Sequence, residues 1–152
     1  TGPLPGRGPT GCTYLDDPRQ QKYVRNGWNL TGDAYQMDEE GFFWFQARSD
    51  DMIISSGYNI AGPEVEAALM AHPSVSECAV VGIPDEERGS LVKAFVVLRD
   101  GTEENEAMKQ TLQDFVKKTI APYKYPRRIE FRKSLPTTET GKIQRFRLRE
   151  EG

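Results

Sequence analysis

Hydrophobic and polar positions change their rhythm near residue 48. Ahead of that point, residues 28–45 alternate short aromatic runs with turn residues, the pattern of short strands joined by tight turns. Asp38-Glu39-Glu40-Gly41 predicts a hairpin turn, and residues 42–45 predict the strand leaving it. Residues 1–13, rich in Gly and Pro, read as loop. Beyond residue 48, residues 52–55 predict a short strand that Ser56-Gly57 breaks. Pro63 suits a first helical position, with Glu64 and Glu66 in the first turn. Val65, Ala68 and Leu69 follow at helical spacing, and His72-Pro73 ends that helix. Residues 75–83 and 91–98 are apolar runs of strand length. Met108, Leu112, Phe115, Val116 and Thr119 mark one face of a second amphipathic helix, which Pro122 stops. Residues 128–131 alternate as a half-buried strand does. The order strand, helix, strand, strand, helix, strand predicts an α+β domain over residues 49–152, with a short central β-sheet flanked by helices. Residues 1–48 predict a separate β-rich element.

Composition narrows the class. The chain has 152 residues, 37% hydrophobic and 28% charged, enough for one ordinary domain with an appendage. No apolar run approaches the roughly 18 residues that span a membrane, and no secretory signal pattern is present. The opening Thr1-Gly2-Pro3 lacks a Met, so a fragment of a longer protein is expected. Cys12 and Cys78 stand far apart and, with the single His72, offer no zinc spacing. Cys78 lies in an apolar run and reads as a core residue, and a reducing cytoplasm is the expected compartment. The net charge of −3 hides an asymmetry. Residues 117–149 hold eleven Lys and Arg against Glu130 and Glu139, a local charge of 11 − 2 = +9. That stretch suits either a solvated basic surface or the attraction of a polyanion such as a nucleotide, CoA or nucleic acid.

Several short motifs carry possible chemistry. Gly6, Gly8 and Gly11 spell GxGxxG, but no predicted strand precedes them, and Pro5 and Pro9 sit where a strand-to-helix turn should form. Thr137-Thr138-Glu139-Thr140-Gly141-Lys142 is not a phosphate-binding P-loop, because Pro136 and Ile143 occupy two of its key positions. What remains is a polar, flexible loop bearing one lysine, either a plain surface group or a stabiliser of charge on a phosphate oxygen. Leu30-Thr31-Gly32-Asp33 places a carboxylate on an expected turn, with Arg48 fifteen positions on. These residues suit a ribose diol and a phosphate, or a turn Asp in a structural salt bridge. In Ser55-Ser56-Gly57-Tyr58-Asn59-Ile60, Gly57 permits a close ligand approach or simply ends a strand.

Taken in order, these segments resemble the C-terminal part of the acyl-adenylate-forming acid–CoA ligases. The resemblance rests on Arg48-Ser49-Asp50-Asp51-Met52-Ile53, Ser56-Gly57-Tyr58-Asn59-Ile60, Pro63-Glu64-Val65-Glu66, Val80-Val81-Gly82-Ile83-Pro84-Asp85 and Thr140-Gly141-Lys142. It covers nearly the whole chain from about Gly8. Trp28-Asn29-Leu30-Thr31-Gly32-Asp33, Ala121-Pro122-Tyr123-Lys124-Tyr125-Pro126-Arg127 and Lys142-Ile143-Gln144-Arg145 look most like the 2-aminobenzoate or benzoate–CoA ligase and medium-chain acyl-CoA synthetase branch.

The resemblance implies that ATP, a small carboxylic acid and CoA react in two steps, through an acyl-AMP to a thioester. It implies that residues 1–48 end a large N-terminal domain whose remainder lies upstream, and that residues 49–152 form a mobile C-terminal domain. By this likeness Asp33 and Arg48 bind the nucleotide, Asp50 is the hinge and Lys142 is catalytic in adenylation. Ser56, Gly57 and Tyr58 line the pantetheine path, and Asn59 lies near the acyl group. Arg88, Lys117, Tyr125, Pro126 and Arg127 receive the CoA nucleotide. Magnesium is expected to accompany ATP, with no ligands assigned in this chain. Two other readings are a carrier-protein-loading adenylation domain and a basic nucleic-acid-binding module. The second is expected to want an aromatic stacking platform among its charges.

Overall fold

A computed structural model describes residues 2–7, 18 and 23–151. The chain divides into two compact units, Thr1–Asp50 and Asp51–Gly152.

In the first unit, strand β3 (Trp28–Met37) pairs antiparallel with β1 (Gly2–Gly6), β2 (Val24–Arg25) and β4 (Phe43–Arg48). The loop expected over residues 1–13 is therefore a strand for its first part. Pro3 and Pro5 lack an N–H, which suits an edge strand, and the register slips between them. One ground for setting aside the glycine motif also falls, since a strand does lead into Gly6; Gly8 and Gly11 lie outside the described residues. The β3–β4 turn is where the sequence put it. Asp38 Oδ1 accepts the backbone N–H groups of Glu40 and Phe42 at 3.0 and 2.9 Å, an Asp-turn arrangement. Beyond that turn Phe42, Phe43, Trp44 and Phe45 are 60, 51, 60 and 55% exposed, so both faces of this part of β4 carry open aromatic rings.

The second unit opens with a hairpin, β5 (Met52–Ser55) and β6 (Tyr58–Ala61). Its two-residue turn has Ser56 at φ 50° and Gly57 at φ 80°, the double-positive geometry whose twist matches paired strands. Strand β6, not expected from the sequence, is four residues long and runs straight into Gly62-Pro63. Helix α1 (Gly62–Met70) begins one residue ahead of the expected Pro63, which is its second residue, with Glu64 in the first turn. Strands β7 (Val75–Asp85), β8 (Gly89–Leu98) and β9 (Arg128–Phe131) form a sheet in that order, β8 and β9 parallel. Helix α2 (Glu106–Thr119) crosses between them, its Met108 N–H capped by the Asn105 side chain at 2.9 Å. Leu112 and Val116 of its predicted stripe are buried. Thr119 instead is exposed and returns its hydroxyl to Phe115 O. A short turn (Pro122–Lys124) precedes β9, and a six-residue helix α3 (Arg145–Glu150), absent from the sequence reading, closes the chain.

The sheet is covered on both faces, which is why β7 and β8 read as continuous apolar runs. Cys78, Val80, Val92, Ala94 and Val96 face one core with Val65, Leu69, Leu112 and Val116 of α1 and α2. Ala79, Val81, Ile83, Leu91 and Phe95 face the other with Leu135 and with Leu148 of α3. Cys78 is a core residue, as expected, and burial with the nearby Glu66 charge pushes its thiol up to about 12. The chain is thus α+β. Among the described residues no helix is long and apolar enough to cross a membrane.

Candidate functional site

The expected site residues fall into four local groups. In the first unit, Asp33 and Arg48 are direct partners across β3 and β4. Asp33 lies within β3, not on a turn, one residue before the β-bulge that interrupts the pairing. Arg48 Nη1 stands 3.4 Å from Asp33 Oδ1, and Arg48 Nε donates to Asp50 Oδ1 at 3.4 Å. Gly32 makes this possible. Its φ is +73°, and a Cβ there would lie 3.1 Å from the Arg48 guanidinium. Asp50 is the last residue of that unit, two positions after the boundary expected from sequence.

The second group sits on the β5–β6 turn. Ser56 N–H donates to Arg88 O at 3.0 Å, tying the turn to the β7–β8 connection. The Arg88 guanidinium lies 3.1 Å from Glu87 and 3.8 Å from Asp85. Tyr58 is 52% exposed and stacks on Tyr123 with ring centroids 4.4 Å apart. Asn59 is exposed opposite Ile54 on the outer side of the hairpin.

The third group gathers around Tyr125. Lys117 Nζ lies 4.4 Å from the ring centroid and Arg127 Cζ 5.0 Å, both within cation–π range. Arg127 Nη1 also donates to Tyr125 Oη at 2.9 Å, and Lys117 pairs with Asp114 at 3.0 Å. Pro126 is fully buried. Its side chain packs inside the fold, while Tyr125 and Arg127 on either side are more exposed. Gln113 holds the segment by donating to Pro126 O and Arg127 O at 3.0 and 3.2 Å. Tyr123, which the sequence reading did not single out, links the second and third groups: it meets Tyr58 and lies two residues from Tyr125. The alternation of aromatic and basic residues in Tyr123-Lys124-Tyr125-Pro126-Arg127 was the available signal.

The fourth group is the Lys142 loop. It is more ordered than the flexible loop expected. Thr137 and Ile143 form a β-bridge. Thr138 N–H donates to Lys142 O at 2.8 Å, Lys142 N–H to Thr138 Oγ1 at 3.0 Å, and Gln144 N–H to Pro136 O at 2.8 Å. Gly141, at φ +79°, makes the turn. Lys142 itself is exposed and has no ion pair among the described residues.

Among the described residues Lys142 shares that feature with Lys118, Arg127, Arg128, Lys133 and Arg147, while the other five cations of the basic stretch are paired. Lys117 pairs with Asp114, Lys124 with Glu64, Arg132 with Glu130 and Glu151, Arg145 with Glu66, and Arg149 with Asp51. Five of the eleven cations along residues 117–149 are thus answered by carboxylates from elsewhere in the fold. Burial alone would lower the Arg145 pKa, but hydrogen bonding and charge from Glu66 outweigh it and hold it above the ordinary value. Among the described residues no group of three His, Cys, Asp or Glu could hold a metal ion. No magnesium ligand is assigned.

Comparison with known proteins gives a consistent result. Residues 64–142 match the family described as AMP-binding enzyme C-terminal domain. The chain is 54% identical over 137 residues to the uncharacterized acyl-CoA ligase YtcI of Bacillus subtilis (strain 168), covering 90% of this chain and 26% of that protein. It is 50% identical over 141 residues to the mitochondrial acyl-coenzyme A synthetase ACSM3 of Mus musculus, covering 91% and 24%. The fold superposes on the anthranilate CoA ligase AuaEII, solved with anthranoyl-AMP, with a TM-score of 0.84 at 39% identity, covering 99% of this chain and 30% of that one. This chain therefore spans about a quarter of the length of the curated relatives it matches.

Proposed function

Because the chain belongs to the AMP-binding enzyme C-terminal domain family, we propose that it is the C-terminal part of an ATP-dependent acid–CoA ligase. In the first half-reaction a carboxylate oxygen attacks the α-phosphorus of ATP, forming acyl-AMP and releasing pyrophosphate. In the second, the CoA thiol attacks the acyl carbon of that mixed anhydride, forming the thioester and releasing AMP. Lys142 serves the first step by stabilising charge on the carboxylate and phosphate oxygens. The observation that carries this reading is the loop itself: Lys142 stands exposed at a turn closed by its own hydrogen bonds, with no ion pair among the described residues.

Asp33 and Arg48 hold the nucleotide, Asp33 through ribose hydroxyls. Asp50 is the hinge. Arg88, Lys117, Tyr125 and Arg127 receive the CoA nucleotide, Ser56, Gly57 and Tyr58 the pantetheine arm, and Asn59 the acyl end. An aromatic acid of the benzoate or aminobenzoate kind is the preferred substrate. The likeness to an anthranilate CoA ligase supports that preference, and medium-chain acids are the alternative. The first unit belongs to a larger adenylation domain, which would cover the exposed aromatic surface of residues 42–45. A reducing compartment suits the buried Cys78 thiol. We take that compartment to be the cytoplasm, and the mitochondrial relatives mark the other choice. The five cations of the basic stretch already paired with carboxylates reduce the charge left for a nucleic-acid partner.

The free-CoA reading is tested by Arg127→Ala in the full-length protein. Loss of a charge-assisted phosphate contact should raise the KM for CoA by roughly ten- to a hundredfold, with acid-dependent adenylation unchanged. Steady-state kinetics with varied CoA would show it. An unchanged KM for CoA, or turnover only with a carrier protein, would favour the carrier-loading reading.

A further inference from the structure

The Lys142 loop is closed by its own hydrogen bonds, so its placement depends on what anchors its two ends. The leading end is fixed by Leu135, buried in the second core. The trailing end passes through Ile143 and Gln144 into α3, whose first residue is Arg145. A six-residue helix has little stability by itself and must be held by its surroundings. Arg145 supplies one such hold. Its Nε and Nη2 donate to Glu66 Oε1 at 3.1 and 2.9 Å, and Nη2 also reaches Glu66 Oε2 at 2.7 Å. Glu66 is fixed in turn, because its Oε1 accepts the Val80 N–H at 2.8 Å. The pair thus reaches around the outer edge of β7, joining α1 on one face of the sheet to α3 on the other. It links residues 79 positions apart in sequence, and it sits three residues from Lys142.

We propose that the Glu66–Arg145 pair is a positioning device for Lys142: it fixes where the loop presents the ammonium group and so governs the adenylation half-reaction without touching substrate. The inference rests on the assignment of Lys142 to adenylation. A forked guanidinium meeting both carboxylate oxygens constrains distance and orientation together, whereas an ammonium acts as a single point charge. Arg145→Lys therefore keeps the charge and loses the geometry.

The test uses the full-length protein and compares Arg145→Lys, Glu66→Gln, Lys142→Ala and the double variant Lys142→Ala/Arg145→Lys. Adenylation is read as acid-dependent ATP–pyrophosphate exchange, thioester formation from supplied acyl-AMP and CoA, and folding as the thermal midpoint. A misplaced reacting group can cost about a hundredfold, so Arg145→Lys should lower exchange by roughly ten- to a hundredfold and leave thioester formation unchanged. In the Lys142→Ala background it should add no further loss, since both changes remove one function. Equal loss in both half-reactions, undiminished exchange, or a full additional loss in the double variant would overturn the proposal. If Arg145→Lys does not fold, Glu66→Gln, which leaves Arg145 in place, must give the same split or the proposal fails. Intact exchange in Lys142→Ala would instead overturn the role of Lys142, so the two failures are told apart by which variant is silent.

Discussion

Lys142→Ala in the full-length protein should lower adenylation by roughly a hundred- to a thousandfold, the usual cost of removing one preorganised stabiliser of developing charge. Thioester formation from supplied acyl-AMP should be nearly unaffected. The asymmetry follows from charge. In adenylation, negative charge on the carboxylate and phosphate oxygens must be brought together, and an exposed ammonium with no carboxylate partner among the described residues is suited to offset it. In the second step the phosphate is leaving, and the incoming thiol approaches along groups assigned to the β5–β6 turn. The variant should also fold normally. The loop's hydrogen bonds involving Lys142 use its backbone N–H and C=O, which Ala retains. Measuring each half-reaction separately checks this, and equal losses in both would contradict the assigned role.

Asp50→Pro is expected to separate the half-reactions in a different way. Asp50 ends the first compact unit and Asp51 begins the second. Hinge positions absorb large changes in backbone torsion when a domain closes or swings. On the proposal that the second unit takes a different arrangement for each half-reaction, proline, which fixes φ near −65° and removes the N–H, makes one of them inaccessible. The half-reaction needing that arrangement should fall by roughly a hundredfold, in line with the cost of misplacing reacting groups, while the other is retained. The ion pair between Arg149 and Asp51, at 2.8 Å, anchors the neighbouring residue within the second unit. Single-turnover measurement of each step checks the prediction; normal rates in both would remove Asp50 as the hinge.

The sequence displays some of this architecture openly and conceals the rest for physical reasons. Strands β7 and β8 are legible because the sheet is covered on both faces, which demands unbroken apolar runs. Helix α2 is legible because Leu112 and Val116 recur at the period of its buried face. Strand β1 is hidden by Pro3 and Pro5, whose composition signals loop although an edge strand tolerates them. Strand β6 is hidden because it runs straight into Gly62-Pro63, with no turn residue to separate it from the helix that follows. Helix α3 is hidden because Arg145-Phe146-Arg147-Leu148-Arg149 has little local helical pattern: buried Leu148 and ion pairs to Glu66 and Asp51 hold it. The same long-range pairs explain why residues 117–149 looked so basic. Glu64 and Glu66, read locally as favourable first-turn charges, meet Lys124 and Arg145 from 60 and 79 positions away. Among the candidate site residues, the Asp33–Arg48 partnership was visible as a motif pair but its placement on facing strands was not. Pro126 looked like part of a binding segment, and only packing reveals that it is buried. Tyr123 gained its place solely from the stack with Tyr58.

The central claim is that this domain serves two successive reactions on one acid, both requiring the larger protein. The most direct measurement is product accounting for the full-length protein and, in parallel, for these 152 residues alone. With ATP and an aromatic acid such as benzoate or 2-aminobenzoate, the full-length protein should form acyl-AMP and pyrophosphate before CoA is added. Addition of CoA should then release AMP and thioester in equal amounts, while the isolated chain forms neither. Thioester made by the isolated chain, or ADP in place of AMP from the full-length protein, would contradict the account.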